Sequence, residues 1–166
     1  MKKYIASIVI TLALAACGQT ATSAPAELPK AQVITEHSKG YYCTMNLAEH
    51  NGPKAQIFLD SKPNEPLWFS TVTQIFGFVQ HPGEPKDIAA IYVSDMGAVA
   101  DWNTPNSDVW IDAKTAYYVI DSQFVGGMGT ADALPFADAS KAQAYAQQHG
   151  GKVVMFDTMP ESYIYK

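Results

Sequence analysis

Two sulfur atoms set the chemical question. Cys43 and Met45 stand two residues apart in residues 40–45 (GYYCTM). In an extended segment, residues i and i+2 project to the same side, so this spacing predicts a thiol and a thioether aimed at one point. A thiolate beside a thioether is a soft donor pair, suited to Cu(I) and poorly suited to hard ions. Zinc fits less well, because a second cysteine and a compact set of histidines are both missing from the pattern. A lone thiol also has other uses. It can be a small buried hydrophobe, a link between chains, or a nucleophile.

Four further side chains are candidate donors. Met96 ends an apolar run and precedes Gly97, where a side chain can emerge at a sheet rim; ordinary core packing is the equal alternative. Met128 lies in residues 126–129 (GGMG), where three glycines make a mobile loop and a poor core position, so a transfer ligand and a hydrophobic plug are both open. His50, in a loop seven residues from Cys43, is a better metal candidate than His81; the ordinary reading of both is an exposed loop imidazole. His149 reads as a helix C-terminal residue, His37 as part of a linker, Met155 as strand core and Met159 as incidental.

Generic enzyme signatures are missing from the sequence. There is no Gly-x-Ser-x-Gly, no His-Glu-x-x-His and no phosphate-cradling glycine loop followed by Lys and Ser or Thr. Nor does any His or Asp stand at a recognisable distance from Cys43 to act as its base. The expectation is a binding protein without turnover, and the alternative is a thiol-dependent enzyme.

These residues need a frame, and 166 residues allow one ordinary domain. Hydrophobic residues make up 48 % and charged residues 16 %, enough to form a core. The net charge is −5, and every Lys/Arg position is Lys. An acidic chain without Arg lacks the footprint of a nucleic-acid binder.

Residues 1–16 read as a signal peptide: Lys2 and Lys3, then an apolar run from Tyr4 to Ala16 too short to span a bilayer. Cys17, directly after Leu14-Ala15-Ala16, resembles the lipid-accepting cysteine of a bacterial lipobox, which predicts a lipid-anchored, periplasm-facing protein. Gly18 is not the Asp that retains such proteins at the inner membrane, which favours the outer membrane. Residues 17–36, rich in Ala, Thr, Ser and Pro, are expected to form a flexible tether. The folded domain is then 37–157, with 158–166 as a loose tail.

Within the domain, 54–60 and 65–71 read as strands, 72–80 as a helix stopping before His81-Pro82-Gly83, and 88–94 as a buried strand. The order recurs with strands at 109–113 and 115–122. A helix from Asp138 to His149, closed by Gly150-Gly151, and a strand at 152–157 complete it. The fold class is α+β: a single domain of two ββαβ-like units, helices covering one face of largely antiparallel sheets.

Several blocks resemble the NosL family: 40–45 (GYYCTM), 48–58 (AEHNGPKAQIF), 66–70 (PLWFS), 85–97 (PKDIAAIYVSDMG), 110–113 (WIDA) and 126–129 (GGMG). The resemblance spans about residues 40–157. It implies a tandem ββαβ fold, distantly similar to the organomercurial lyase fold, so mercury handling is one form of the enzyme alternative. It further implies a copper chaperone that binds Cu(I) on the periplasmic side for maturation of nitrous oxide reductase. The partners implied are an ABC-type transporter complex and a periplasmic solenoid protein. By resemblance the metal ligands fall on Cys43, Met45 and Met96. Thr44 stands where relatives often have Gly, a departure expected to leave the sulfur positions intact.

Overall fold

A computed structural model describes residues 27–102 and 108–166. The expected signal peptide and Cys17 lie outside them. Among the described residues no helix is long and apolar enough to cross a membrane.

The first sheet is built around β1 (Ala55–Leu59), flanked by β2 (Lys62–Phe69) and β3 (Ile88–Ser94). The second is built around β5 (Tyr117–Ile120), flanked by β6 (Leu134–Phe136) and β7 (Lys152–Met155). In each unit the first strand is central, the second pairs with it as a hairpin, and a helix carries the chain to the opposite edge. That helix is α1 (Thr73–Gln80) in the first unit and α2 (Ala139–His149) in the second. All these strand pairings are antiparallel. The duplicated ββαβ order expected from the sequence is therefore present.

Its second copy is assembled from different residues than expected. β4 (Trp110–Asp112) does not open the second unit; it pairs with β3 as a fourth strand of the first sheet. The second strand of the second unit is β6, which the sequence reading passed over. It has three residues and contains Pro135, and proline removes a ladder donor. An edge strand tolerates this, and β6 is an edge strand.

β1 is buried along its whole length, because both faces of the sheet are covered. Ala55, Ile57 and Leu59 enter the main core with Phe69, Ile75, Phe76 and Phe78. Gln56 and Phe58 lie on the opposite face, where part of the supposed tether meets Gln56 and the Phe58 ring packs edge-on against Tyr92. The Gln32 amide donates to Gln56 Oε1 at 2.9 Å, and Gln56 Nε2 donates to the Gln32 carbonyl at 3.0 Å. The Tyr92 hydroxyl donates to the Pro29 carbonyl at 2.7 Å, and Ile34 is buried. Residues 29–36 are thus a strap on the sheet rather than free linker. A glutamine amide pairs with a backbone as another strand would, a match that composition does not reveal.

The loose tail at 158–166 is also corrected. Met159 and Tyr163 are buried in the main core, and α3 (Glu161–Ile164) packs against α1. Apolar side chains at 159, 163 and 164 form a short buried face despite the break at Pro160.

Candidate metal centre

The segment carrying Cys43 and Met45 is a turn, not the extended run expected. Lys39 and Asn46 form an isolated antiparallel bridge at its base. Inside it the Gly40 amide donates to the Met45 carbonyl at 2.9 Å, and the Thr44 amide to the Gly40 carbonyl at 2.7 Å. Thr44 takes a φ of 58°, the left-handed region that favours glycine. This explains why glycine suits the position. It also means that the turn, rather than strand alternation, sets where the two sulfurs lie.

Each end of the turn is anchored. The Asn46 side chain accepts from the Ala48 amide at 3.0 Å and caps a short 3-10 turn, Leu47–Glu49, whose Leu47 is fully buried. On the other side, the Tyr41 amide donates to the Trp68 carbonyl at 2.7 Å. Cys43 is half-buried, and its thiol donates to Ser70 Oγ at 3.5 Å; Ser70 Oγ in turn donates to Gln74 Oε1 at 3.4 Å. Gly40 makes room for the sulfur, since a Cβ there would stand 2.5 Å from Cys43 Sγ. Met45 is 37 % exposed. The result is a thiol held from behind and a thioether open to solvent, a surface position from which a soft ion can be exchanged.

The His50 and Met128 loops meet each other. A Cβ on Gly127 would lie 2.7 Å from the Asn51 carbonyl oxygen and 2.9 Å from His50 Cβ, so only glycine permits this approach. Beneath the His50 turn, the fully buried Lys54 donates from Nζ to the carbonyls of Asn51 and Gly52, each at 2.8 Å. Burial lowers its ammonium to about 8, with Asp132 acting in the opposite direction. Met128 also lines a cleft of about 890 Å³, together with Tyr42, Gln74, His81, Glu84 and Tyr163. Tyr42 adjoins Cys43, so the cleft runs beside the sulfur-bearing turn.

Met96 is placed differently. It is 2 % exposed and packs with Val119, Leu134, Phe136 and Ala142 in the second core, so in this conformation its side chain is a packing element. Among the described residues no three His, Cys, Asp or Glu side chains converge as a metal cluster. His81 is exposed at the cleft, its Nδ1 accepting from the Gly83 amide at 3.1 Å. The His149 ring stacks on Tyr145 with centroids 4.4 Å apart, and His37 is exposed beside Glu36. Met155 is half-buried in β7, and Met159 is a core residue rather than an incidental one.

Sequence reading missed Ser70, Gln74, Glu84, Lys54 and Asp132 as supports of the site. Ser70 was visible only as part of the expected strand 65–71, and nothing near Lys54 in sequence marks it as buried.

The fold and turn define a tandem ββαβ domain that carries a supported thiol and a solvent-open thioether on one turn. The NosL family model matches residues 31–164, and the chain belongs to the NosL family. It is 44 % identical over 124 residues to the copper-binding lipoprotein NosL of Achromobacter cycloclastes, an alignment covering 74 % of this chain and 64 % of that protein. The chain thus spans just under two thirds of that relative's length. It is 28 % identical over 156 residues to the copper-binding lipoprotein NosL of Stutzerimonas stutzeri, covering 94 % and 78 % of the two. The crystal structure of the copper chaperone NosL from Shewanella denitrificans superposes with a TM-score of 0.75 at 27 % identity, covering 82 % of this chain and 99 % of that one.

Proposed function

We propose that this protein is a periplasm-facing Cu(I) metallochaperone lipoprotein that delivers copper for maturation of nitrous oxide reductase. The observation that carries the reading is the Cys43 turn, with a thiol backed by Ser70 and a solvent-open Met45. The names of the relatives support copper as the cargo. Cys17 is the lipid anchor, and Gly18 favours the outer membrane. The recipients are the reductase assembly machinery, an ABC-type transporter complex with a periplasmic solenoid protein. The role is carriage without turnover.

Chemically, Cu(I) replaces the proton of Cys43. The hydrogen bond to Ser70 then reverses, because the hydroxyl can rotate and donate to the thiolate. Met45 adds a neutral donor that loses no proton, so within this pair acid weakens binding only through Cys43. A low-coordinate soft site suits transfer, since an incoming donor can add before Cys43 leaves. Met128 and His50 are second-rank donors from the neighbouring loops. Met96 is the third ligand implied by resemblance, and it joins the metal only if its side chain leaves the second core.

The alternative, a thiol-dependent enzyme or mercury-handling protein, gains nothing from this geometry. Cys43 donates to a neutral hydroxyl, a group that does not deprotonate it.

The deciding experiment is anaerobic competition of the soluble 18–166 chain against a Cu(I) chelator, beside Cys43→Ser, Met45→Leu and Met96→Leu. One tight Cu(I) per chain, abolished by Cys43→Ser and weakened by Met45→Leu, is the expected result. If wild type and Cys43→Ser bind alike, the reading fails. A Met96→Leu variant that loses stability but keeps its affinity assigns Met96 to packing. For the destination, copper content of the reductase is measured in cells carrying Cys43→Ser.

A further inference from the structure

The Cys43 turn is held from a third side. Tyr41 and Tyr42, the two residues before the cysteine, both reach one carboxylate: the Tyr41 hydroxyl donates to Glu84 Oε2 at 3.0 Å and the Tyr42 hydroxyl to Glu84 Oε1 at 2.8 Å. Their rings rest on the core edge. Tyr41 packs on Phe69 and Phe78, with centroids 5.9 and 5.7 Å away, and Tyr42 packs on Phe69 at 5.8 Å.

Glu84 is itself fixed in place. Its amide donates to the His81 carbonyl at 3.2 Å. Lys86 Nζ ties the same loop to the end of α1 through the carbonyls of Val79 and His81, at 2.8 and 2.6 Å. One carboxylate on a braced loop therefore holds both tyrosines of the turn.

Among the attachments of the turn, this one differs in kind. The Tyr41 amide bond to Trp68 belongs to the backbone at the end of β2, and the Ser70 bond is to the thiol itself. The Glu84 contacts run from side chain to side chain between partly exposed groups, so they can break while both sheets stay intact. Copper transfer requires Cys43 to move away from the metal as a new donor arrives. The attachment that can yield without unfolding then sets the ease of that movement.

We propose that Glu84 is a positioning residue, a latch that acts through Tyr41 and Tyr42 to fix the Cys43 turn and slow the departure of Cu(I). Its copper consequence rests on the chaperone reading, whereas the mechanical latch does not.

The test compares the full chain in detergent with Glu84→Ala, the pair Tyr41→Phe with Tyr42→Phe, and the triple variant. The apo forms are alkylated with iodoacetamide, and modification of the Cys43 peptide is followed by mass. The Cu(I)-loaded forms are mixed with a chelator in stopped flow, with equilibrium affinity and Tm measured alongside. Glu84→Ala is expected to speed both alkylation and copper release about tenfold, the scale of two solvent-exposed hydrogen bonds lost together, each near the low end of the usual net range. The tyrosine pair should match it, the triple variant should add nothing further, and Tm should barely move. Unchanged rates in Glu84→Ala overturn the latch, as do effects that multiply in the triple variant. If the wild type takes up no Cu(I), the chaperone reading falls, and the alkylation rates still judge the latch.

Discussion

Asp132 closes the N-terminus of a helix that belongs to the other ββαβ unit. Its Oδ1 accepts from both the amide and the hydroxyl of Thr73, each at 2.9 Å, although the two residues are 59 positions apart. Its second oxygen accepts from the Val72 amide at 3.1 Å, and Oδ1 also accepts from the Ala133 amide. The residue in the N-cap position of α1, Val72, has no side chain able to do this. Burial pushes the Asp132 carboxyl up, and these donors pull it back. Asp132 thereby ties the loop after Met128 to the segment whose Ser70 holds Cys43.

Replacing Asp132 by Ala strands the buried amides at the start of α1. Asp132→Ala should cost about 2–4 kcal/mol, combining a lost cap with unsatisfied donors. Urea unfolding followed by far-UV circular dichroism measures this, and a loss below about 1 kcal/mol would show that water replaces the carboxylate.

Thr44 bears a β-branched side chain at a φ of 58°. Thr44→Gly should stabilise the chain by about 1 kcal/mol, because glycine relieves the strain of this conformation. Thermal melting reads the gain. The Cu(I) affinity should stay unchanged, since the turn keeps its shape.

Lys54 predicts an unusual pH dependence. Its ammonium is lowered from 10.5 to about 8 by burial, so between these values the unfolded chain holds a proton that the folded chain has released. The contribution of Lys54 to stability therefore rises with pH in that window, by about 2 kcal/mol from pH 8 to pH 10. Tyrosines oppose it, because burial raises the Tyr42, Tyr118 and Tyr163 phenols and the unfolded chain ionises first as the pH nears 10. Denaturant titrations of wild type and Lys54→Met at pH 7, 8, 9 and 10 isolate the Lys54 contribution: the stability difference between the two should move by this amount in favour of wild type from pH 8 to pH 10.

The contact between the His50 and Met128 loops depends on Gly127. Gly127→Ala would force a methyl group against the Asn51 carbonyl and His50 Cβ, so the two loops must separate. A destabilisation of about 1–3 kcal/mol is expected from this overpacking. Amide exchange should quicken at Gly52 and Gly129, whose amides donate to the Trp102 and Gly126 carbonyls, while residues of β7 keep their protection.

Much of this protein is legible in its sequence, for local reasons. Helices α1 and α2 follow from apolar spacing and from the cap at Asp138, and β3 from an unbroken apolar run. The soft donor pair is visible because its two sulfurs are neighbours in the chain. Tertiary structure alone decided where each edge goes and what each buried polar group meets. β4 joins the first sheet, and three residues around Pro135 become a strand because β5 offers an edge. Residues 29–36 become a strap because Gln56 waits on the sheet, and Met96 is enclosed because α2 covers it. Lys54 looks like any surface lysine until the folded chain buries it and leaves the carbonyls of its own preceding turn as acceptors. Periodicity is written between residues a few positions apart. Burial and pairing are sums over contacts between residues tens of positions apart, and they exist only once the chain has folded.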